Sequence, residues 1–171
     1  MSDSKKPKPS ANSAPEFFSR QVSEARRFYL NLKPSKNVAL SVVSGGFEHC
    51  RPDYRIQRPS FPFYSIEYVV RGTGSLRLNH RHYRMQPGLV FSYGPGVPHT
   101  MSADPEAAPS KYFLNFAGRQ SKAILRSCRL APGTVSQLSL PHELRNLFDE
   151  LIHCGQRGRP GANELCTKLL E

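Results

Sequence analysis

Between Val38 and Phe116 apolar and polar residues alternate with a period near two, and on either side the period lengthens to three and four. The alternating region breaks into segments with strand character: Val38–Ser44, Ser65–Val70, Ser75–Asn79, Leu89–Tyr93 and Lys111–Phe116. Glycine and proline punctuate them at Gly45-Gly46, Gly72-Thr73-Gly74, Pro87-Gly88 and Gly94-Pro95-Gly96. Many short strands separated by turn signals predict a mainly β domain, a sandwich or barrel. Ser75–Asn79, a turn near His80-Arg81 and then His82–Met85 read as a hairpin.

The flanks read differently. Phe18, Val22, Ala25, Phe28 and Tyr29 recur at three- and four-residue steps, which predicts a short amphipathic helix inside residues 16–32, capped by Ser19 and ending near Pro34. After the strands, Arg119–Ser127 has helical character, and Pro141–His153 puts Leu144, Leu147, Phe148, Leu151 and Ile152 on one stripe. A polar break over Gly155–Gly161 leads to Asn163–Leu170, with Leu165, Leu169 and Leu170 apolar, so the C-terminal region reads as a helical hairpin. No C-cap signal stands at Glu171, and the second helix reads as cut. The implied organisation is a disordered tail over 1–15, an N-terminal arm over 16–36, a barrel over 37–118 and a helical segment over 119–171.

Composition narrows the class. The chain has 171 residues, 15 of them proline and 12 glycine, which favours turns and short strands over long helices. No run approaches the length of a membrane span, and no apolar segment follows the N-terminal lysines as a secretion signal requires, so a cytoplasmic protein without a membrane partner is expected. Cys50, Cys128, Cys154 and Cys166 have neither C-x-x-C nor zinc-finger spacing and read as free thiols. The net charge of +11 suits an anionic partner or simply a cationic surface; Arg71, Arg77, Arg81 and Arg84 are spaced between apolar positions rather than run together.

Two segments carry the chemistry. One is Glu67-Tyr-Val-Val-Arg-Gly-Thr-Gly74. The other is Gly88-Leu-Val-Phe-Ser-Tyr-Gly-Pro-Gly96-Val-Pro-His99. Together they resemble the two halves of the signature of cupins, small double-stranded β-helix (jelly-roll) barrels. The resemblance implies that Glu67 and His99 project into the barrel. Metal-binding cupins add two histidines upstream of the glutamate, but the stretch Arg58–Tyr64 holds none. At best two of four family ligands survive, so no metal and no cofactor are expected. His49, His80, His82, His142 and His153 are not placed by the motif.

A cupin barrel without its metal set resembles the ligand-binding domain of AraC-family transcription regulators. Tyr64–Gly74, the Pro87-Gly88 start of the next strand, Pro95-Gly-Val-Pro-His99 and Lys111–Phe116 carry that resemblance, and the C-terminal helices sit where such regulators place their dimerisation helices. It implies a non-enzymatic sensor that binds a small-molecule effector such as a sugar. It also implies a homodimer, with DNA read by a helix-turn-helix part absent from this chain.

Ligand contacts are expected from Glu67, His99, Tyr93, Phe63 and Ser65 inside the barrel, and from Arg51, Tyr54 and Arg58 flanking its mouth, arginine suiting an acidic sugar or other carboxylate. Glu67 and His99 read equally well as a structural pair, and Phe63 and Tyr93 as packing. Phe17, Phe18 and Phe28 close the pocket if the arm folds over it; otherwise they pack outside the barrel. Leu144, Leu147, Phe148, Leu151, Leu165 and Leu169 form the expected dimerisation face, or else cover the barrel. Two further functions share the barrel features: a stand-alone metal-dependent dioxygenase or isomerase, and a binding protein without a DNA partner.

Overall fold

A computed structural model of the chain describes residues 15–139, 141–158 and 160–171; the tail expected over 1–15 lies outside them except for Pro15. The elements run β1 (Val22–Tyr29), β2 (Ser41–Cys50), β3 (Arg55–Arg58), β4 (Tyr64–Arg71), β5 (Gly74–Leu78), β6 (Arg81–Met85), β7 (Leu89–Tyr93), β8 (His99–Ala103), β9 (Ser110–Ala117), α1 (Ser121–Ser127), β10 (Val135–Gln137), α2 (Pro141–Gln156) and α3 (Ala162–Leu170). The strands form two antiparallel sheets, ordered β1-β2-β9-β4-β7-β10 and β3-β8-β5-β6. The turn-punctuated alternation predicts such a mainly β domain, the resemblance of its two motifs implies the cupin-like jelly roll, and the helical hairpin follows it.

Two apolar clusters account for the layers. Val69, Leu89 and Phe91 from the larger sheet meet Leu76, Leu78, Met85 and Met101 from the smaller one inside the barrel. On the other face of the larger sheet, Tyr68, Tyr112, Leu114 and Phe116 pack against Phe148, Leu151 and Ile152 of α2 and Cys166 of α3. Strand alternation therefore sorts β4 cleanly: Ser65, Glu67 and Val69 face the interior, while Tyr64, Ile66, Tyr68 and Val70 face the helices. No described helix is long and apolar enough to cross a membrane.

The N-terminal segment departs from the sequence pattern. Residues 22–29 form strand β1, paired antiparallel with β2, and not the expected helix. The reason lies in two glycines. Phe28 is 3% exposed, and a Cβ on Gly45 would approach its ring to 2.8 Å, one on Gly155 of α2 to 2.3 Å. Both positions must lack a side chain for the ring to fit, and only the strand brings Phe28 to that slot. Tertiary packing overrides the helical periodicity, and charged Glu24 and Arg26 on this edge strand discourage further pairing.

The hairpin turn also moves by one residue. Leu78 pairs with Arg81, so the loop is Asn79-His80, both with positive φ (47° and 67°), as a two-residue type I′ turn requires. Strands β3, β8 and β10 go beyond the segments read from the pattern, being three to five residues long and lacking clear alternation.

The candidate ligand cavity and its family

Three interior rows of the larger sheet build the site. Tyr93, Ser65, Asn115 and Ser44 are register partners across β7, β4, β9 and β2; Glu67 lies opposite Phe91 and Phe113; Lys111 lies opposite Glu48 and Val69. Their side chains meet in one buried network. The Tyr93 hydroxyl donates to Glu67 Oε1 at 2.5 Å, and the Lys111 ammonium sits 2.7 Å from Glu67 Oε2 and 3.2 Å from Glu48 Oε2. Arg27 of β1 reaches Glu48 Oε1 at 2.8 Å. Two carboxylates and two cations thus balance inside the barrel, as buried charge demands.

Burial alone would push the Glu48 carboxyl up, but Lys111 and Arg27 outweigh it and hold Glu48 below its ordinary value. Burial likewise works against the Lys111 ammonium, and the surrounding acids, Glu67 foremost, leave it well above its ordinary value. Both groups are therefore ionised across the neutral range. Burial, then the nearby Glu67 charge, raises the Tyr93 phenol, which stays a donor. His99 stacks on the Tyr93 ring at 3.9 Å between centroids, and its Nδ1 lies 3.2 Å from the Val97 carbonyl. Burial pulls the His99 imidazole below its ordinary value, so it is neutral at pH 7 and donates that proton to Val97 if Nδ1 carries it. His99 Nε2 and Ser65 Oγ are buried with no hydrogen-bond partner among the described residues.

A divalent cation does not suit this interior. The position beside Glu67 that a cation would take holds the Lys111 ammonium, and no group of three or more metal-ligating side chains gathers among the described residues.

Above the network the chain closes the barrel with its own arm. Phe17, Phe18 and Ser19 line the cavity together with Tyr54, Arg58, Glu67 and Lys111, and about 20 Å³ remains, room for about one water. The Phe17 ring meets Phe61 and Phe63 at 5.6 and 5.7 Å; Phe18 meets Phe113 at 5.4 Å. Two guanidiniums hold the arm's backbone: Arg58 donates to the Phe17 carbonyl, and Arg27 donates to the Ser19 carbonyl at 3.0 Å.

The sequence-derived candidates distribute as follows. Glu67, Tyr93, Tyr54 and Arg58 line the cavity; Ser65 and His99 are buried beside Tyr93 and do not line it. Phe63 packs beneath the arm rather than at the cavity surface. Arg51 lies outside, exposed and paired with Asp53 at 3.1 Å, because the turn after β2 carries it away from the mouth. Of the expected dimerisation face, Phe148 and Leu151 are core: Phe148 stacks on Tyr112 at 5.1 Å and Tyr68 at 6.2 Å, so the sheet has taken them up. Leu144 and Leu169 are partly buried against the same cluster, while Leu147 (48%) and Leu165 (55%) are exposed. Sequence reasoning missed Lys111, Glu48, Arg27 and Asn115. The signal for Lys111 and Asn115 was present, since both share strand parity with Phe113.

The profile of the AraC-like ligand binding domain family matches residues 42–171, three quarters of the chain.

The chain belongs to that family.

No curated protein matches it. Among solved structures, the AraC-like domain is similar to the protein YhaK from Escherichia coli (13% identity, 70% of this chain and 53% of that one, TM-score 0.48). It is similar to plu4264 from Photorhabdus luminescens (16% identity, 72% and 96%, TM-score 0.42). The cupin domain of an XRE family transcriptional regulator from Enterobacter cloacae also matches (8% identity, 42% and 78%, TM-score 0.36). The family match comprises β2 through α3 and leaves out β1 and the arm, the parts that roof the AraC-like domain's cavity.

Proposed function

We propose that this AraC-like domain is the effector-sensing and dimerisation module of a cytoplasmic transcription regulator, without catalytic activity of its own. The effector is a sugar or sugar acid, and DNA is read by a part of the regulator outside this chain. The observation that carries the reading is the charge-balanced polar network at the barrel floor under an aromatic arm. Hydroxyls need such donors and acceptors, and the C–H face of a sugar ring suits aromatic side chains. Arg58 has no carboxylate partner among the described residues, and its acceptor is a backbone carbonyl of the arm. A ligand carboxylate replaces that carbonyl when the arm yields the space. Coupling follows from the ligand's differential affinity for arm-closed and arm-open states.

Thermal unfolding against a panel of neutral and acidic monosaccharides tests this. A binding sugar at about 100-fold above its Kd adds about 2.7 kcal/mol to stability, and Asn115→Ala, at the cavity wall, weakens the shift. A panel that leaves the unfolding midpoint unmoved rules out the sugar reading.

In the dimer, Leu147 and Leu165 meet their counterparts about a two-fold axis. Leu147→Asp is expected to weaken self-association about tenfold or more, on the order of 1.4 kcal/mol, with the unfolding midpoint unchanged because the side chain is half exposed. Sedimentation velocity reads the outcome; an unaltered profile removes α2 from the interface.

A further inference from the structure

The smaller sheet has an outer face that none of the above uses. Its four strands read RIQR, GSLRL, RHYRM and HTMSA, and contain no aspartate or glutamate. Register gathers their outward residues into two rows. Arg55, Ser102, Ser75 and Arg84 form one; Gln57, Thr100, Arg77 and His82 form the other. The arginines are exposed, and none of Arg55, Arg77 and Arg84 has a carboxylate within ion-pair distance among the described residues. A groove of about 390 Å³ at the hairpin end, lined by Arg58, Arg77, His80 and Thr100, extends the second row.

We infer that this face binds the phosphate backbone of duplex DNA. Three strand spacings of about 4.8 Å make it about 14 Å wide, with Arg55 and Arg84 at the rims of one row, Ser102 and Ser75 between them, and Arg77 on an inner strand of the other. The four strands are rich in donors and contribute no carboxylate to repel an approaching phosphate. The cations of the two rows are arginines, without lysine, and the guanidinium fork pairs phosphate oxygens bidentately. Contacts of this kind position a duplex without reading its sequence. The arginines look scattered along the chain; only the strand register brings them together. The inference is independent of the ligand reading and uses no cavity residue other than Arg58.

The test is fluorescence anisotropy of the full 171-residue chain with a labelled random-sequence duplex, across about 50 to 200 mM salt. Arg77→Glu/Arg84→Glu is expected to lower affinity about tenfold or more and to flatten the slope of log K against log salt by about two. Lys122→Glu/Arg126→Glu, an equal charge change at exposed positions of α1, is expected to cost much less. Equal losses in the two variants, or no duplex binding at the lowest salt, overturn the inference. Tighter binding of polyglutamate than of duplex also overturns it and reassigns the face to an acidic protein.

Discussion

Lys111→Met is expected to destabilise the fold by about 3–5 kcal/mol, the cost of leaving buried carboxylates without their cation. Lys111 is 3% exposed, and its ammonium is the only group that touches both Glu67 and Glu48 among the described residues. At about 2–4 °C per kcal/mol for a chain of this size, the midpoint falls by about 10 °C. Lys111→Met/Glu67→Gln is expected to recover part of the loss, since one buried charge goes with the cation. Calorimetry at pH 7 decides: a midpoint within about 2 °C of wild type, less than about 1 kcal/mol, shows that the network carries no stability.

The pH profile of the wild type follows from the same groups. Glu48 has a lowered value in the folded chain, so its contribution is present above the unfolded value of 4.5 and is lost as pH falls through the folded one. Lys111 is raised above 10.5, so its contribution is complete below that value and is lost only as pH climbs through the folded one. Between these limits the network contributes a plateau. His99, lowered by burial, erodes the acid side earlier, as pH falls below 6.5, because the unfolded chain takes up that proton more readily.

Phe28→Ala is expected to cost about 3–5 kcal/mol and, more informatively, to release the arm. The Phe28 ring is clamped between Gly45 of β2 and Gly155 of α2, and it is the one buried apolar anchor of edge strand β1. Without it, β1 keeps its ladder to β2 and its polar contacts to α2, Arg26 with Asp149 and the Arg27 carbonyl with Gln156, but loses its buried apolar hold on the helix. Amides of Val22–Tyr29 are expected to exchange fast, ahead of β4 and β9. Because Phe17, Phe18 and Arg27 reach the cavity through β1, the barrel mouth opens with it. Hydrogen exchange read by mass spectrometry tests this; unchanged protection over β1 shows that the arm is held without the Phe28 ring.

How much of this was legible beforehand depends on what each element rests on. The helical hairpin and the barrel strands other than β3, β8 and β10 were, because period-two alternation and a leucine stripe are local consequences of which face is buried. The inward set Ser65, Glu67 and Val69 follows from parity alone once β4 is recognised. Residues 16–32 misled because Phe18, Val22, Ala25 and Phe28 satisfy a helical period by spacing, while the slot that selects the strand is made by Gly45 and Gly155, far away in the chain.

The chain by itself thus determined the fold class, the cupin-like motif around Glu67 and His99, and the family to which they point. Tertiary structure alone decided that Lys111 neutralises Glu67 and Glu48, that Phe17 and Phe18 fill the mouth, and that Phe148 and Leu151 serve the core. It also decided that scattered arginines share one face. Alternation is a nearest-neighbour property and can be read residue by residue; charge pairing, a ring's slot and a sheet face depend on strands brought together from distant positions, which no local pattern encodes.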